Sequence, residues 1–337
     1  MIAAFVRRLA VAALTGAALG IALAGPAVAQ RTLKINESLG PGSPEEAALQ
    51  HFKAQVESET KGQLRIQIHL LDALGKPDVA LESLMTGSLE LYSGALEYYA
   101  TIAGPEINVI SLPFFIGTHD TLRAYLRSDA FKPALDKLLA RGIRVLSTEW
   151  NADRGPYRVL MSSRPVREVK DLDGLKVRMF PNDVYQRSWA QLGTLPVQLA
   201  WTETYLGIRQ GTVNAVTSPL SLVRSMRFAE VAPYIVEIKE YPQTWPITIS
   251  DRVWRSLSAG DQAALVKAAN DAGKVYARTT MERAQQDIDA MKAENKAEVI
   301  AIDRAAMRAR LEPLYAKLVQ DGVVPQALVD AVARLPK

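Results

Sequence analysis

One helical pattern in this chain runs from Ser258 to about Asn295 without a proline to interrupt it. Ser258 and, three residues later, Asp261 form a variant of the capping box, which predicts that the helix begins there. At a rise of 1.5 Å per residue this helix would be roughly 50 Å long. Because that length exceeds the width of a single domain, the pattern predicts two domains that the helix braces.

Strand and helix patterns alternate in the first part of the chain. Thr32 to Glu37 is a short extended run, Leu64 to Leu70 alternates apolar and polar residues as a half-buried strand does, and Leu89 to Tyr92 starts another strand. After the first strand, Ser43 is a candidate N-cap with Pro44 in the first helical position. This order predicts a sheet with helices on its faces, and therefore an α/β fold.

A second series of short strands, with helices between them, begins near Tyr157. Its members are Arg158 to Met161, Leu175 to Phe180, Val213 to Thr217 and Ile247 to Ser250. Two series of strands agree with two domains. The length of 337 residues agrees as well, since about 150 residues per domain is typical.

The N-terminus has the three parts of a secretory signal peptide in order. Arg7 and Arg8 precede an apolar run from Leu9 to Ala24, and residues 27–29 form a small-residue cleavage site. The apolar run is 16 residues long, short of the ~20 that a membrane-spanning helix needs. We therefore expect residues 1–29 to be a cleaved signal peptide, with a membrane anchor as the alternative.

The chain contains no cysteine, which excludes a disulfide framework, a thiolate zinc site, a cysteine nucleophile and lipid attachment through an N-terminal cysteine. An exported bacterial protein of this kind is expected to be free in the periplasm. Without the signal, 38 basic and 36 acidic residues give a net charge of +2. No cluster of Lys and Arg with interleaved aromatic residues is present, so nucleic acid is not an expected partner.

The three histidines, His51, His69 and His119, are the first candidates for catalysis or metal binding. None has a carboxylate or a second histidine at a ligand spacing, which favours solvated or structural histidines. The turn at 40–42 lacks the continuation of a phosphate-binding loop, and no G-x-S-x-G motif is present. We therefore expect a protein without catalysis, cofactor or metal.

The strand predicted after the turn at 171–174 carries an arginine on one side. Leu175, Val177 and Met179 share one face of this strand, so Arg178 points the other way at the end of the strand. An arginine in that place is either part of a surface ion pair or a guanidinium fork presented to an anion. The strand pattern alone favours the ion pair.

The run D-L-x-G-L-K-hydrophobic-R that ends at Arg178 resembles the signature of the periplasmic solute-binding proteins of TRAP transporters. In that family the final arginine binds the carboxylate of an organic acid. Other segments that resemble family motifs are Leu195 to Ala215, Gln63 to Leu70, Leu84 to Glu90 and Leu112 to Phe115. The resemblance covers essentially the whole chain after the signal.

The resemblance implies a two-lobed α/β periplasmic binding protein fold, with a ligand cleft, crossing hinge segments and a long helix bridging both lobes. Residues 30–155 with 243–283 would form lobe I, and residues 156–242 with 284–337 would form lobe II. Closure of the lobes around a ligand would be a hinge motion that buries the carboxylate away from water.

Carried over residue by residue, the resemblance assigns the carboxylate to Arg178. Arg158 matches a second family arginine that either touches the carboxylate or steadies the cleft, and a surface charge is the alternative. Trp201 occupies the position of a family phenylalanine that packs on the ligand, with a core tryptophan as the alternative. Ser218 replaces a family asparagine and can still donate a hydrogen bond, with shorter reach.

Tyr157 and Trp245 are further candidate ligand-binding residues, because they crowd the predicted crossing segments together with Trp150, Asp153 and Arg154. These aromatic residues favour a ligand less polar than a sialic or sugar acid, such as an aromatic or branched carboxylate. The resemblance implies a monomer that delivers this ligand to the small and large membrane subunits of a TRAP transporter. A periplasmic carboxylate sensor, the binding protein of an ATP-driven importer and a periplasmic enzyme are the alternatives.

Overall fold

A computed structural model describes residues 30–336 of the chain, and the signal peptide predicted at 1–29 lies outside the described residues. The strands are β1 Arg31–Asn36, β2 Leu64–His69, β3 Leu91–Ser93, β4 Ile143–Val145, β5 Arg158–Ser162, β6 Lys176–Met179, β7 Leu195–Gln198, β8 Ala215–Pro219, β9 Tyr234–Glu237, β10 Ile247–Ser250 and β11 Glu298–Ala301.

The α-helices are α1 Pro44–Glu59, α2 Pro77–Thr86, α3 Ala100–Ala103, α4 Pro105–Asn108, α5 His119–Leu126, α6 Lys132–Ala140, α7 Asp183–Gln191, α8 Thr204–Arg209, α9 Leu220–Val223, α10 Asp251–Arg255, α11 Ala259–Asn295, α12 Arg304–Gln320 and α13 Gln326–Ala333. Short 3₁₀ turns lie at Leu96–Tyr99, Val109–Ser111, Val169–Leu172, Trp201–Glu203 and Phe228–Glu230. Within residues 30–336, no helix is both long and apolar enough to span a membrane.

The strands of the described chain form two separate sheets, and each sheet is the centre of one lobe. The first has the order β2-β1-β3-β10-β4, in which β1 pairs in parallel with β2 and β3, and β10 lies antiparallel between β3 and β4. The second has the order β11-β9-β5-β8-β6-β7. Because β10 follows the strands β5 to β9 in sequence, the chain crosses between the lobes after β4 and again before β10. The two crossings contact each other through a bridge between Asp153 and Thr244.

Helix caps form where the sequence predicts them. The hydroxyl of Ser43 accepts a hydrogen bond of 3.2 Å from the backbone N–H of Glu46, with Pro44 in the first position of α1. The hydroxyl of Ser258 likewise accepts from the N–H of Asp261 at 3.1 Å at the start of α11. Each cap satisfies an N–H group that would otherwise have no partner in the first turn.

Helix α11 joins the cores of the two lobes. Its 37 residues correspond to a length of about 55 Å at 1.5 Å per residue. Leu265 and Tyr276, in its first half, pack in the core of the first sheet with Phe52. Ile288 and Met291, in its second half, pack in the core of the second sheet. The predicted two-lobed α/β fold with a bridging helix is therefore confirmed.

The boundaries of the two lobes in sequence stay a prediction. Helix α12 packs against α7 of the second lobe, but α13 contacts α5 of the first lobe. Leu328 and Val332 of α13 lie in the same apolar core as Leu122 of α5. The C-terminal segment therefore contacts both lobes and is a further connection between them.

Candidate functional site

A cavity is lined by residues of both lobes and of the crossing segments. On the first lobe the wall follows the ends of β1 and β3, and on the second it includes residues of β5, β6 and β8. Carboxyl ends of parallel strands are a usual place for ligands in open α/β sheets. The lining residues are Glu37, Ser38, Leu39, Gly94, Ala95, Glu97, Tyr98, Arg154, Arg158, Arg178, Phe180, Trp201, Thr217, Pro219, Leu222 and Gln243.

Arg178 is buried in the cavity wall with its terminal N–H groups unused. Its side chain is 4% exposed, and its Nε donates to the backbone oxygen of Leu199 at 2.8 Å. Within residues 30–336, no acceptor lies within hydrogen-bonding distance of Nη1 or Nη2 of Arg178, and no acidic side chain pairs with it. A buried guanidinium without an anion is costly, so this fork is suited to a carboxylate that enters the cavity.

Trp201 packs against Arg178 from the second lobe. The guanidinium carbon of Arg178 lies 5.2 Å from the centre of the indole ring, within the range of a cation–π contact. The indole also packs edge-to-face with Phe228 in the core of the lobe. Nε1 of Trp201 is buried and has no acceptor among the described residues. Trp201 therefore belongs both to the core and to the cavity wall.

Arg158 lines the same cavity, but protein groups occupy its donors. Nε donates to Oε1 of Glu240 at 2.7 Å, Nη1 to Oε1 of Gln243 at 3.0 Å and Nη2 to Oγ1 of Thr217 at 2.8 Å. Glu240 is 1% exposed and also accepts from the hydroxyl of Tyr185 at 2.7 Å. This arrangement favours the role of steadying the cleft over that of gripping the carboxylate.

Arg154 is a third buried arginine in the wall, and it comes from a crossing segment. Its Nε donates to Oε1 of Glu45 at 3.2 Å, and the same oxygen accepts from the hydroxyl of Tyr276 at 2.6 Å. Glu45 lies on α1 and Tyr276 on α11, so this network connects the cavity wall to the bridging helix. Among the described residues, Nη1 and Nη2 of Arg154 have no acceptor.

Two acidic side chains, Glu37 and Glu97, also line the cavity, and both are at most 1% exposed. Burial, followed by the charge of Glu45, raises the pKa of Glu37 to about 7 against the opposing effect of Arg154. Burial likewise raises the pKa of Glu97. Carboxyl groups as well as guanidinium groups therefore belong to the cavity wall.

Comparison with known proteins assigns the family. Residues 35–321 match DctP, described as bacterial extracellular solute-binding protein, family 7. The chain belongs to this family. A solute-binding protein of Verminephrobacter eiseniae is 27% identical over 294 residues, covering 86% of each chain. The C4-dicarboxylate-binding periplasmic protein DctP of Rhodobacter capsulatus is 25% identical over 313 residues, covering 91% of this chain and 93% of its own.

A solved structure agrees with this assignment. The TRAP periplasmic solute-binding protein of Bordetella bronchispeptica superposes with a TM-score of 0.82 at 26% identity. The match covers 91% of this chain and 100% of that one. The fold of this family 7 solute-binding protein is thus the fold that its motifs implied.

Three of the predicted ligand-binding residues line the cavity of this solute-binding protein, and three do not. Arg178, Arg158 and Trp201 are part of the wall. The other three, Ser218, Tyr157 and Trp245, are directed elsewhere. The hydroxyl of Ser218 donates to the carbonyl of Pro219 at 2.9 Å, and the hydroxyl of Tyr157 donates to Glu237 at 2.6 Å. The indole of Trp245 packs on Tyr276. Trp245 reaches the site only indirectly, because its Nε1 donates to Glu37 at 2.9 Å.

The aromatic residues of the wall also differ from those that the crossing segments indicated. Trp150 is 3% exposed and packs edge-on against Phe131 in the core of the first lobe. The rings that line the cavity are instead those of Tyr98, Phe180 and Trp201. These rings lie in the same wall as the charged side chains of Arg158 and Arg178.

Sequence reasoning missed Glu37, Glu97, Thr217 and Gln243 as lining residues. Glu37 follows directly after β1, and such positions at strand ends are a signal that could have identified it. Thr217 lies one residue before Ser218 on β8, where alternate side chains face opposite ways. Glu97 lies in the short 3₁₀ turn at Leu96–Tyr99 and Gln243 in a crossing segment, and both are too short to carry a periodic signal.

One histidine has a carboxylate partner that the sequence spacing did not show. Nδ1 of His119 lies 3.3 Å from Oδ1 of Asp153, which also pairs with Arg123 at 2.7 Å. Nε2 of His119 lies 2.9 Å from the carbonyl of Gly155. These contacts tie α5 to the first crossing segment, and His119 is not part of the cavity wall. In the part of the chain that the structure describes, no group of three or more His, Cys, Asp or Glu could hold a metal ion.

Proposed function

We propose that this solute-binding protein captures a small organic acid in the periplasm and delivers it to the small and large membrane subunits of a TRAP transporter. The observation that carries the proposal is Arg178, a buried cation in a cavity wall that has no acidic partner among residues 30–336. A carboxylate would supply the missing charge and accept two parallel hydrogen bonds from its fork.

Two relatives support this ligand class. The Rhodobacter capsulatus protein is named for binding C4-dicarboxylates. The Bordetella protein has density interpreted as pantoate, which is also an organic acid. The second relative is a TRAP protein by name, which supports delivery to TRAP membrane subunits. The signal pattern at 1–29 supports export to the periplasm.

The polar groups of the cavity support binding without catalysis. The donors of Arg158 are bonded to protein acceptors. Ser38, the serine of the wall, donates to Asp72 at 2.7 Å, and no histidine is among the lining residues. Nucleophilic catalysis needs a nucleophile within hydrogen-bonding reach of a base. The wall offers fixed groups that orient a ligand.

A contact between the lobes beside the cavity supports capture by hinge motion. Lys76, which precedes α2 of the first lobe, pairs with Glu203 of the second lobe at 2.7 Å. This ion pair lies two residues from Trp201 of the wall. Separation of the lobes would break the pair and expose the cavity, as in the hinge closure of two-lobed binding proteins.

Native mass spectrometry of the purified protein tests the proposal. We expect the chain to carry a small carboxylate when it is isolated from its own cells, and Arg178→Ala to lose it. Arg187→Ala is the matched control, because Arg187 lies on the exterior in an i,i+4 pair with Asp183. Retention of the same ligand by Arg178→Ala with unchanged affinity would overturn the proposal. Uptake of that ligand into vesicles containing TRAP membrane subunits then tests delivery.

A further inference from the structure

The first crossing segment carries Arg154 of the cavity wall next to a residue that faces the other way. Asp153 forms an isolated β-bridge with Thr244, so the backbone is extended here and alternate side chains face opposite sides. Arg154 lines the cavity and is 6% exposed. The side chain of Asp153 is not part of the wall and contacts α5 instead. Groups of α5 can therefore act on Arg154 from behind the wall.

His119, the first residue of α5, contacts the crossing segment on both sides of Arg154. Its Nδ1 lies 3.3 Å from Oδ1 of Asp153, and its Nε2 lies 2.9 Å from the carbonyl oxygen of Gly155. A carbonyl oxygen only accepts, so the Nε2–H group is the donor of that hydrogen bond. Among the described residues, no other donor bonds to the carbonyl of Gly155. His119 therefore spans residues 153–155.

Arg123, one turn later in α5, gives Asp153 a second partner. Its Nη1 donates to Oδ1 and to Oδ2 of Asp153, both at 2.7 Å. Burial raises the pKa of the Asp153 carboxyl, but the contacts with His119 and Arg123 outweigh burial and keep that pKa below its ordinary value. Because Arg123 supplies a counter-charge by itself, Asp153 does not need His119 for its charge. The contact that only His119 makes is the one with Gly155.

Helix α5 is a firm support, whereas the side chain of Arg154 is held by few contacts. Leu122 and Tyr125 of α5 are buried in the core of the first lobe. Within residues 30–336, the side chain of Arg154 makes one hydrogen bond, from Nε to Glu45 at 3.2 Å, and its backbone N–H donates to the carbonyl of Gln243 at 2.9 Å. A long side chain with few contacts keeps much of its rotamer freedom. The place of its guanidinium therefore depends on how firmly the backbone of the crossing segment is held.

The backbone at Gly155 has little room on its other side. Its φ is +82°, and a Cβ atom at this position would lie 2.9 Å from Oγ of Ser221, on α9 of the second lobe. The bond to His119 thus holds Gly155 toward the first lobe at the point where the segment meets the second lobe. Residues 153–155 are thereby fixed with respect to α5.

We propose that His119 is a positioning residue of the ligand site, which holds the crossing segment on both sides of Arg154 and so fixes this guanidinium in the cavity wall. A histidine outside the wall thereby contributes to ligand affinity through an arginine within it. This effect on affinity rests on the proposed function, whereas the effect on Arg154 itself does not.

Two variants of His119 separate its contact with Gly155 from its contact with Asp153. Glutamine places an amide N–H group near the position of Nε2 and can still donate to the carbonyl of Gly155. Asparagine is one methylene shorter and reaches only toward Asp153. Both variants keep a polar side chain and leave Arg123 on Asp153, so both should fold, as their thermal unfolding midpoints would show.

NMR of the arginine Nε–H groups in the ligand-free protein tests the positioning directly. The resonance of Arg154 is identified by its absence from Arg154→Met. We expect solvent exchange of this Nε–H group to be about fivefold faster in His119→Asn than in His119→Gln, because the freed segment opens locally more often. His51→Asn is the control, because His51 is an exposed histidine of α1, and it should leave the exchange unchanged. The same exchange rate in His119→Asn and His119→Gln would overturn the proposal.

Isothermal titration calorimetry tests whether His119 acts on the ligand through Arg154. The probes are the acid identified by native mass spectrometry and, if the protein is isolated empty, pantoate and succinate. We expect His119→Asn to raise the dissociation constant about tenfold when Arg154 is present and less than about twofold in Arg154→Met, because residues that act through one contact are not additive. Equal fold changes in the two backgrounds would overturn the proposal.

The two measurements separate the failure of this proposal from the failure of the proposed function. If no acid binds to the unmodified protein, the proposed function fails, and the exchange of the Arg154 Nε–H group still decides whether His119 positions Arg154. If Arg154→Met binds too weakly for calorimetry, the exchange measurement decides alone.

Discussion

The guanidinium carbon of Arg178 lies 5.2 Å from the centre of the Trp201 indole ring, on the wall of a cavity between two lobes. The contact fixes the plane of a side chain that is otherwise held by one hydrogen bond to Leu199. An aromatic face stabilises a buried cation without neutralising it. The terminal donors of the guanidinium therefore stay available for the proposed ligand.

Replacement of Trp201 should weaken ligand binding through Arg178. We expect Trp201→Leu to raise the dissociation constant about fivefold, since a cation–π contact contributes about 1 kcal/mol. Trp201→Phe keeps an aromatic face and should lose less affinity. Calorimetry with the co-purified acid measures both variants. Equal loss in the leucine and phenylalanine variants would show that the ring does not act through the cation.

Arg158 and Arg178 are equally buried but should differ in their effect on stability. Arg158→Met leaves Glu240 buried without its cation, and breaking such a pair costs about 3–5 kcal/mol. Arg178→Met removes a cation that has no acidic partner in the described chain, so it should cost little stability or increase it. Urea unfolding of both variants without ligand gives the two free energies. A loss of the same size in both would contradict the distinction between a steadying and a gripping arginine.

Glu37 should make the stability depend on pH. Its pKa is raised to about 7 in the folded protein, mainly by burial. At pH values between the pKa of Glu37 in the unfolded chain and about 7, the carboxyl group of Glu37 is deprotonated in the unfolded chain but protonated in the folded one. The folded state therefore binds more protons than the unfolded state in this pH range. The free energy of unfolding therefore falls by up to about 3 kcal/mol as the pH rises through this range. Above about pH 7 it levels off. Urea unfolding from pH 5 to pH 8 should show a smaller decline in Glu37→Gln than in the unmodified protein.

An exposed glutamate provides the control for that pH series. Glu82→Gln, on the outer side of α2, should decline with pH as the unmodified protein does. If Glu37→Gln and Glu82→Gln have the same pH profile, then Glu37 ionises with an ordinary pKa in the fold.

The ion pair between Lys76 and Glu203 should affect how long the ligand stays bound. Both side chains are about half exposed, at 53% and 47%, so the pair is weak and screened by salt. We expect Lys76→Ala to increase the ligand dissociation rate about two- to fivefold at low salt, with little change at high salt. Stopped-flow displacement measures the rate. Lys132→Ala is the control, because the pair of Lys132 with Asp136 lies within α6 and joins no lobes.

The parts of the fold that the sequence predicts well are those with a local cause. The caps at Ser43 and Ser258 depend on a few adjacent residues, and the bridging helix depends on a long pattern without proline. Arg178 could be located because strand alternation and a motif identify the same residue. Each of these signals lies within one segment of the sequence, so these features can be predicted without knowing how distant segments pack together.

The remainder of the site depends on contacts between distant segments. Glu97 and Gln243 share a hydrogen bond although 146 positions separate them in sequence, and neither lies in a strand or an α-helix. The strand predicted at 213–217 is Ala215–Pro219 in the structure, and alternation along that strand brings Thr217 to the cavity and Ser218 away from it. Tyr157 and Trp245 are near the crossings, as expected, but their side chains are directed at Glu237 and Glu37.

The place of β10 within the first sheet has a consequence for how the protein is made. β10 separates β3 from β4, yet it is synthesised after β5 to β9 of the other lobe. The sheet that comes first in the gene therefore cannot be completed until residue 250 has been synthesised. A chain that is truncated before that point would present the open edges of β3 and β4 to solvent, and edges of this kind pair with other chains. Neither sheet is encoded by one continuous segment of the gene, so most of this polypeptide must be synthesised before either sheet is complete.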